Sequence, residues 1–466
     1  MRSELSRIVG AEHVLEGAAA SPYDSDASRR RGVEGRADAV VLPGSAEEVA
    51  ELLGWCYAHD VAIVPRGGGT GMMGGAVATQ GGVVVSLERL ARVRELEPAL
   101  WRMLPEAGVA TRHVQRLARE NGLMFAPDPG ASEQSQIGGN VATNAGGPHA
   151  LKYGVTGAWV AGLEVVLAPG EVVQIGGWAG KDVAGYDLKS LLIGSEGTLG
   201  IITAVRLRLL PAPEAALAVV FLLESREAGC AAIEAVLAAG IRPSVLDFID
   251  GETLAMILAG YPSTRRLTGS DDARTGAGFA LIVEVDGSAA EAAEQRAAVI
   301  ETLGEGALAV EEPTEAAALW RWRDAINGVV TGVRGAKVSQ DIVFPVERLA
   351  DGLAGFERIA TAHGLRSCAW GHGGEGNVHA TVLVDPASED ELDAADAVAE
   401  ELFALVVELG GSIAGEHGVG WLKRGRLASQ WDERALDAHE QIKRAFDPKG
   451  LLNPGKKLAR YPAARR

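Results

Sequence analysis

Short runs of aliphatic and β-branched residues alternate with glycine turns over the first third of the chain. DAVVLP (38–43), VAIVPR (61–66) and GVVVSL (82–87) are too short for helices and rich in valine, the composition of buried strands. Between the first two, Val49, Leu52, Leu53 and Cys56 recur at helical spacing. Ser45 stands where an N-cap belongs, and Glu48 three residues on completes a capping box. The pattern predicts a β-α-β start. A helix over 108–123, a glycine-rich coil over 130–154 and strands near 160–167 and 200–210 follow.

The texture changes at Pro211 and Pro213, which end a strand and mark a boundary. From about 214 to 310 the order is strand, alanine-rich helix, strand, helix, the signature of an antiparallel sheet with helices on one face. Residues 262–278 read as a flexible loop. After 340 come the strand DIVFP, a helix over 346–364 and a long amphipathic helix near 389–409. The tail FDPKGLLNPGKK is rich in turn residues and is expected to dock on the protein. No internal repeat or low-complexity tract interrupts the chain. The expectation is an α+β protein with domains over 1–213, 214–425 and 426–466.

At 466 residues, more than one core is expected. With 47% hydrophobic and 23% charged residues, the chain has the balance of a soluble globular protein. No apolar run reaches bilayer length, and MRSELSRIVGAEHVLEG lacks an apolar signal core. Cys56, Cys230 and Cys368 are isolated and odd in number, which argues against disulfides and for a reducing cytoplasm. The net charge of −18 argues against a non-specific nucleic-acid partner. It leaves room for a small anionic substrate in a locally basic pocket.

Two glycine-framed stretches carry candidate chemistry. WGHGGEGNVH (370–379) holds His372 and His379 seven residues apart. A straight strand would point the two rings to opposite faces, so only a bend at Gly373, Gly374 and Gly376 brings them together. GEHGVG (415–420) has the same texture, with Glu416 and His417. One such stretch would read as a solvated turn, but two favour a shared site. Elsewhere, VPRGGGTGMMGGAV contains a formal GxGxxG at Gly69, Gly71 and Gly74, with Glu88 near the place of a ribose-binding acid. Too few residues separate it from the next strand for the helix that a Rossmann loop must open. What remains is a run of bare backbone N–H groups beside Arg66, suited to an anion. PDPGASEQSQIGGNVATNAGGPHALKYG (127–154) is as bare, and GYDLKSLLIGSEGTLGIITAVRLRL (185–209) sets a carboxylate between Gly194 and Gly200.

These three segments resemble the two-subdomain, PCMH-type FAD-binding domain of the vanillyl-alcohol-oxidase superfamily. The two histidine stretches are similar to the C-terminal cap domain of its FAD-linked D-2-hydroxyacid dehydrogenase and oxidase branch. The resemblance covers nearly the whole chain. It implies an antiparallel-sheet cap bearing the substrate and a C-terminal tail that returns to the FAD domain. It implies FAD contacts from Arg66, Gly67, Gly68, Gly69, Thr70 and Gly71, from Pro129, Gly130 and Ala131, and from Gly138, Gly139, Asn140, Thr143 and Asn144. Glu196, Gly197, Gly200, Ile202 and Asn453 would complete the cofactor site. Thr70 stands where some members carry the histidine that attaches FAD, so the cofactor is expected to be non-covalent.

The resemblance further implies that His372, His379 and Glu416 hold a divalent metal, zinc being the usual one, and that His417 is the base. Two imidazoles and a carboxylate leave an open position on zinc, the form of a catalytic site. Asn377 would hydrogen-bond the substrate. WRWRDAINGV offers Arg321 and Arg323 for a substrate carboxylate; the resemblance favours Arg323, against the plain alternatives of a pair with Asp324 or a solvated helix face. Lys337 is a second cation. Ser339 stands where hydroxyglutarate-specific members carry a lysine, and Glu375 where aspartate is commoner. The expected reaction is oxidation of a small D-2-hydroxyacid of the D-lactate or glycolate type, with D-2-hydroxyglutarate as the alternative. Electrons would pass to an external acceptor: a quinone, a cytochrome, an electron-transfer flavoprotein or oxygen. Peripheral association at the inner membrane face and a homodimer are compatible with this reading. A flavin-free metal hydrolase, a redox-neutral transferase on the same fold and a non-catalytic FAD subunit are the competing readings.

Overall fold

The computed structural model describes residues 1–270 and 272–458. The chain forms two compact units. The first takes residues 1–146 and 154–212 and resumes at Glu416; the second takes 147–153 and 213–415.

In the first unit, β1 (Val14–Leu15), β2 (Ala39–Val41), β3 (Ile63–Arg66) and β4 (Val83–Ser86) form a sheet of order β1-β2-β4-β3, with β2, β4 and β3 parallel. The helix Ala46–Ala58 connects β2 to β3 and buries Val49, Leu52, Leu53 and Cys56 in the core beside this sheet. Each such leucine contributes about 1.5–3 kcal/mol on burial. Ser45 caps the helix by accepting the Glu48 N–H at 3.2 Å. The Glu48 carboxylate accepts from Gly44 at 2.6 Å rather than from Ser45, so the expected capping box is shifted by one residue.

Seven more strands complete this unit: β5 (Val93–Glu97), β6 (Arg102–Pro105), β7 (Leu123–Met124), β8 (Val160–Leu167), β9 (Glu171–Gly176), β10 (Ile201–Arg208) and β11 (Leu210–Pro211). Five pair in the antiparallel order β5-β6-β10-β8-β9, and β7 pairs with β11. The segment expected as coil over 130–154 instead carries the helices Ile137–Thr143 and Ala150–Tyr153. The C-terminal segment returns to this unit. Leu451 and Leu452 enter the core around β3, and the Asn453 N–H donates to Ile63 O at 2.8 Å. Lys443 pairs with Asp447 and donates to Thr198 O at 2.7 Å.

The second unit is one antiparallel sheet of eight strands. These are β12 (Ala215–Leu223), β13 (Val245–Asp250), β14 (Thr264–Gly269), β15 (Phe279–Gly287), β16 (Ala309–Pro313), β17 (Ala336–Val343), β18 (Arg366–His372) and β19 (Asn377–Val384). Their order is β14-β16-β12-β15-β13-β18-β19-β17. Helices cover both faces, not one. The helix Arg226–Ala238 lays Gly229 on the ring of Phe279, where a Cβ would collide. On the other face, Leu254, Ile257, Leu319, Trp322, Ile326 and Val330 pack on Ile249, Ala280 and Ile282. The expected loop 262–278 is also structured. It contributes β14 to the sheet edge, and Arg274 ties its far end to buried Glu311 at 2.9 Å; Asp271 lies outside the described residues. Residues 147–153 dock on β15: His149 reaches Glu284 at 3.2 Å, Tyr153 donates to Asp286 at 2.8 Å, and Lys152 pairs with Asp286.

Candidate functional site

The histidine stretch is the β18–β19 hairpin. His372 ends β18, Gly373–Glu375 make one short turn, and Gly376 at φ 70° opens β19. A Cβ on Gly376 would collide with the Phe344 carbonyl, so the bend requires glycine. The turn brings both rings to one face, with centroids 5.8 Å apart at an 83° interplanar angle. Their ligating nitrogens fall within 4.8 Å of each other.

β13 lies beside β18, and Asp247 faces His372 across the pair. Asp247 Oδ1 is 2.7 Å from His372 Nδ1, and its Oδ2 accepts from Arg323 Nε at 2.7 Å. Burial pushes this carboxyl up, but the Arg323 guanidinium and the His372 imidazole bring it down to about 2. An ionised carboxylate only accepts, so His372 donates from Nδ1 and turns Nε2 away from Asp247. This is the arrangement that orients a metal-binding imidazole. Arg323, expected to bind a carboxylate or pair with Asp324, is held mainly by Asp247; Asp324 is 3.9 Å away.

β17 supplies the other wall. Asp341 pairs in register with His379 and accepts from Asn377 Nδ2 at 2.8 Å. Its second oxygen accepts from the Gly415 N–H at 2.9 Å. Asn377 Oδ1 is buried and has no partner among the described residues. Lys337 Nζ lies 4.5 Å from the Trp370 ring, and Ser339 hydrogen-bonds Thr381 at 2.7 Å. Asp247 and Asp341 were not singled out as site residues. Their only sequence signal is a carboxylate beside large apolar neighbours, Asp247 between Leu246 and Phe248 and Asp341 before Ile342.

In the first unit, no described residue accepts a hydrogen bond from the N–H groups of Gly67–Gly71, Gly130, Ala131 or Gly139. Side chains are excluded here: a Cβ on Gly68 would collide with the Gln134 carbonyl, and one on Gly138 would lie against Ala107. Gly67 and Gly139 face each other backbone to backbone. No helix follows the GxGxxG before β4, which removes the Rossmann reading. Arg66 is buried. It reaches toward the carbonyls of Ala76 and Pro22 and lies over Tyr23, and burial lowers its pKa. This cradle of unpaired N–H groups fits a pyrophosphate.

Other expected cofactor residues brace the cradle. Asn140 donates to Thr111 at 2.6 Å, Thr143 to Gly139 O at 3.1 Å, and Asn144 accepts the Gly157 N–H at 2.8 Å. Gly200 lies against Val165, and Ile202 is buried in β10. Gly197, at φ 70°, packs on Pro65. The Glu196 carboxylate accepts the N–H groups of Val419 and Gly420 at 3.0 and 2.7 Å, fixing the GEHGVG stretch. Asn453 donates to Gly75 O and Glu196 O. Within that stretch His417 Nε2 is 3.8 Å from Glu416 Oε1. Glu88 accepts from Tyr23 and takes no special position.

The FAD binding domain family matches residues 37–176, and the family of FAD linked oxidases, C-terminal domain, matches residues 212–457. The chain belongs to this family of FAD-linked oxidoreductases. It is 36% identical to the glycolate oxidase subunit GlcD of Bacillus subtilis, over 91% of this chain and 89% of that one. It is 34% identical to a D-2-hydroxyglutarate dehydrogenase of Xanthomonas citri pv. viticola (91% and 90%) and 31% to a D-lactate dehydrogenase of Anaerostipes hadrus (90% and 89%). The fold is shared with substrate-bound p-cresol methylhydroxylase at a TM-score of 0.82 and 19% identity, covering 98% of this chain and 96% of that one. No helix among the described residues is long and apolar enough to cross a membrane.

Proposed function

We propose that the chain oxidises a small D-2-hydroxyacid with one carboxylate, of the D-lactate or glycolate class, to the 2-oxo acid. The observation that carries this is the His372–His379 pair, with Asp247 joining His372 to Arg323. The N–H groups of Gly67–Gly71 would hold FAD, non-covalently because Thr70 offers no histidine nitrogen for attachment, and the chemistry that FAD supplies is acceptance of a hydride. His372 and His379 with Glu416 suit a divalent metal of the zinc type, whose chemistry is to polarise the substrate hydroxyl. Glu416 follows Gly415, which Asp341 anchors. His417 would accept the hydroxyl proton, and Arg323 would take the carboxylate in a charge-assisted pair. Asn377, buried beside Asp341, would add a hydrogen bond to the substrate.

A dicarboxylate needs a second cation. Ser339 is neutral and bonded to Thr381, which favours the monocarboxylate. Lys337 lies on the same strand face, over Trp370, and supports D-2-hydroxyglutarate as the second reading. Losing one charge-assisted contact costs about 1.5–3 kcal/mol, at least a tenfold preference. Anaerobic flavin bleaching by D- and L-2-hydroxyacids tests this. D-lactate or glycolate should bleach the flavin at least tenfold faster than D-2-hydroxyglutarate. The reverse order sinks the substrate class, and bleaching by L-isomers alone sinks the reading of the pocket. No bleaching by any of them would point to the redox-neutral alternative.

A further inference from the structure

We infer that Asp247 is a positioning residue that sets the spacing between the group that takes the substrate carboxylate and the group that takes its hydroxyl. The inference rests on the reading of Arg323 and His372 given above. One carboxylate touches both: Oδ1 meets His372 Nδ1 and Oδ2 meets Arg323 Nε, each at 2.7 Å. Arg323 and His372 arrive from different elements, the Ala316–Asp324 helix and β18, and no covalent path shorter than the intervening chain relates them. Asp247 itself sits inside the sheet. It is 1% exposed, and β13 is paired on one side with β15, through Ile282, and on the other with β18.

The consequence follows from the substrate. In a 2-hydroxyacid the carboxylate carbon is bonded to the hydroxyl-bearing carbon, so the two recognition points lie a fixed short distance apart. An arginine on a flexible stem samples many positions unless its guanidinium is held, and a planar fork held on one edge projects its remaining donors in one plane. Asp324, the neighbouring acid, is 3.9 Å from Arg323 and mostly exposed, too far to do this. Asp247 therefore selects hydroxyl and carboxylate on adjacent carbons over the same groups one carbon further apart.

The test uses FAD-loaded protein with three readouts: Zn²⁺ affinity by competition with a chelating dye, pyruvate affinity by perturbation of the flavin spectrum, and the ratio of kcat/KM for D-lactate over D-3-hydroxybutyrate. Asp247→Asn should weaken Zn²⁺ about tenfold to a hundredfold. It should weaken pyruvate at least fivefold and lower the substrate ratio, with flavin content unchanged. The control is Asp250→Asn in the same strand. Asp250 accepts from the Thr253 and Ala369 N–H groups and touches neither Arg323 nor His372 in this arrangement. It should lose stability without losing either affinity. Should the asparagine variant not accumulate, Asp247→Glu keeps the charge, moves it by one methylene, and should weaken both ligands at least threefold. If Asp247→Asn loses one affinity alone while His372→Ala and Arg323→Met each remove their own, the inference is overturned and the site reading stands. Equal losses in Asp250→Asn would also overturn it, making the effect structural. If His372→Ala and Arg323→Met change neither affinity, the site reading falls and takes this inference with it.

Discussion

Glycine at 68 does work that no other residue can. Its missing side chain lets the loop after β3 pass the Gln134 carbonyl while the N–H groups of Gly67–Gly71 stay unpaired. Gly68→Ala should therefore yield protein with little or no bound FAD, measured by the flavin absorbance per chain; full occupancy would remove this loop from the cofactor site. In wild-type protein, acid precipitation should release all flavin to the supernatant, and flavin retained on the pellet would contradict the Thr70 argument. Lys456 is a buried cation of the same unit. It is 3% exposed, donates to Val77 O at 2.7 Å, and burial lowers its pKa from 10.5 to about 8. Between those values the unfolded chain binds more protons than the native one, so stability rises with pH across the window and is lost as pH falls toward 8. The rise is at most about 3 kcal/mol. Urea unfolding from pH 8 to 10.5 should show a steeper rise for wild type than for Lys456→Met; equal slopes would mean the lysine is not desolvated.

The β18–β19 hairpin shows what an element adds to its residues. Gly376→Ala adopts a left-handed backbone at strain of about 1–3 kcal/mol and meets the Phe344 carbonyl. Turnover should drop more than tenfold while the flavin spectrum, which belongs to the other unit, is retained; unchanged kcat/KM would show the turn to be tolerant. Chelation or His379→Ala should likewise abolish turnover and leave the flavin in place, and a metal-free enzyme with full activity would refute the ligand set. The bend was legible in the sequence because an odd histidine spacing around three glycines has no other way to join the rings. The β-α-β start was legible from periodicity, and the cap sheet from its alternation of apolar runs. Asp247 and Asp341 were not, because a strand carboxylate announces its partner only when the neighbouring strands are known, and β13 meets β18 across more than a hundred residues. β5 and β9 escaped notice because exposed edge strands such as VRELE lack an apolar face. The structured 262–278 segment escaped because its polar edge strand is held by the buried Glu311, distant in sequence.

At the scale of the whole molecule the remaining question is where the electrons go. Oxidising a hydroxyacid leaves a reduced flavin, and one cycle cannot follow another until two electrons depart. The chain holds three cysteines, all buried and apart, with no CxxCH and no cluster spacing for iron and sulfur. Their thiols are pushed up to about 12 by burial, which removes them as redox partners near neutral pH. The glycine loop after β3 opens no helix for a nicotinamide dinucleotide. Oxidation therefore requires an electron acceptor, and the rate with a given acceptor is a property of that pair. Under steady D-lactate the flavin should stay largely reduced without an added acceptor and turn over when a soluble quinone analogue or ferricenium is supplied. The measurement is stopped-flow reoxidation of the reduced flavin, in air and with each acceptor. Reoxidation by the artificial acceptor at least tenfold faster than by air-saturated buffer would mark a dehydrogenase. Rapid stoichiometric peroxide formation in air would instead make oxygen the acceptor and the chain an oxidase.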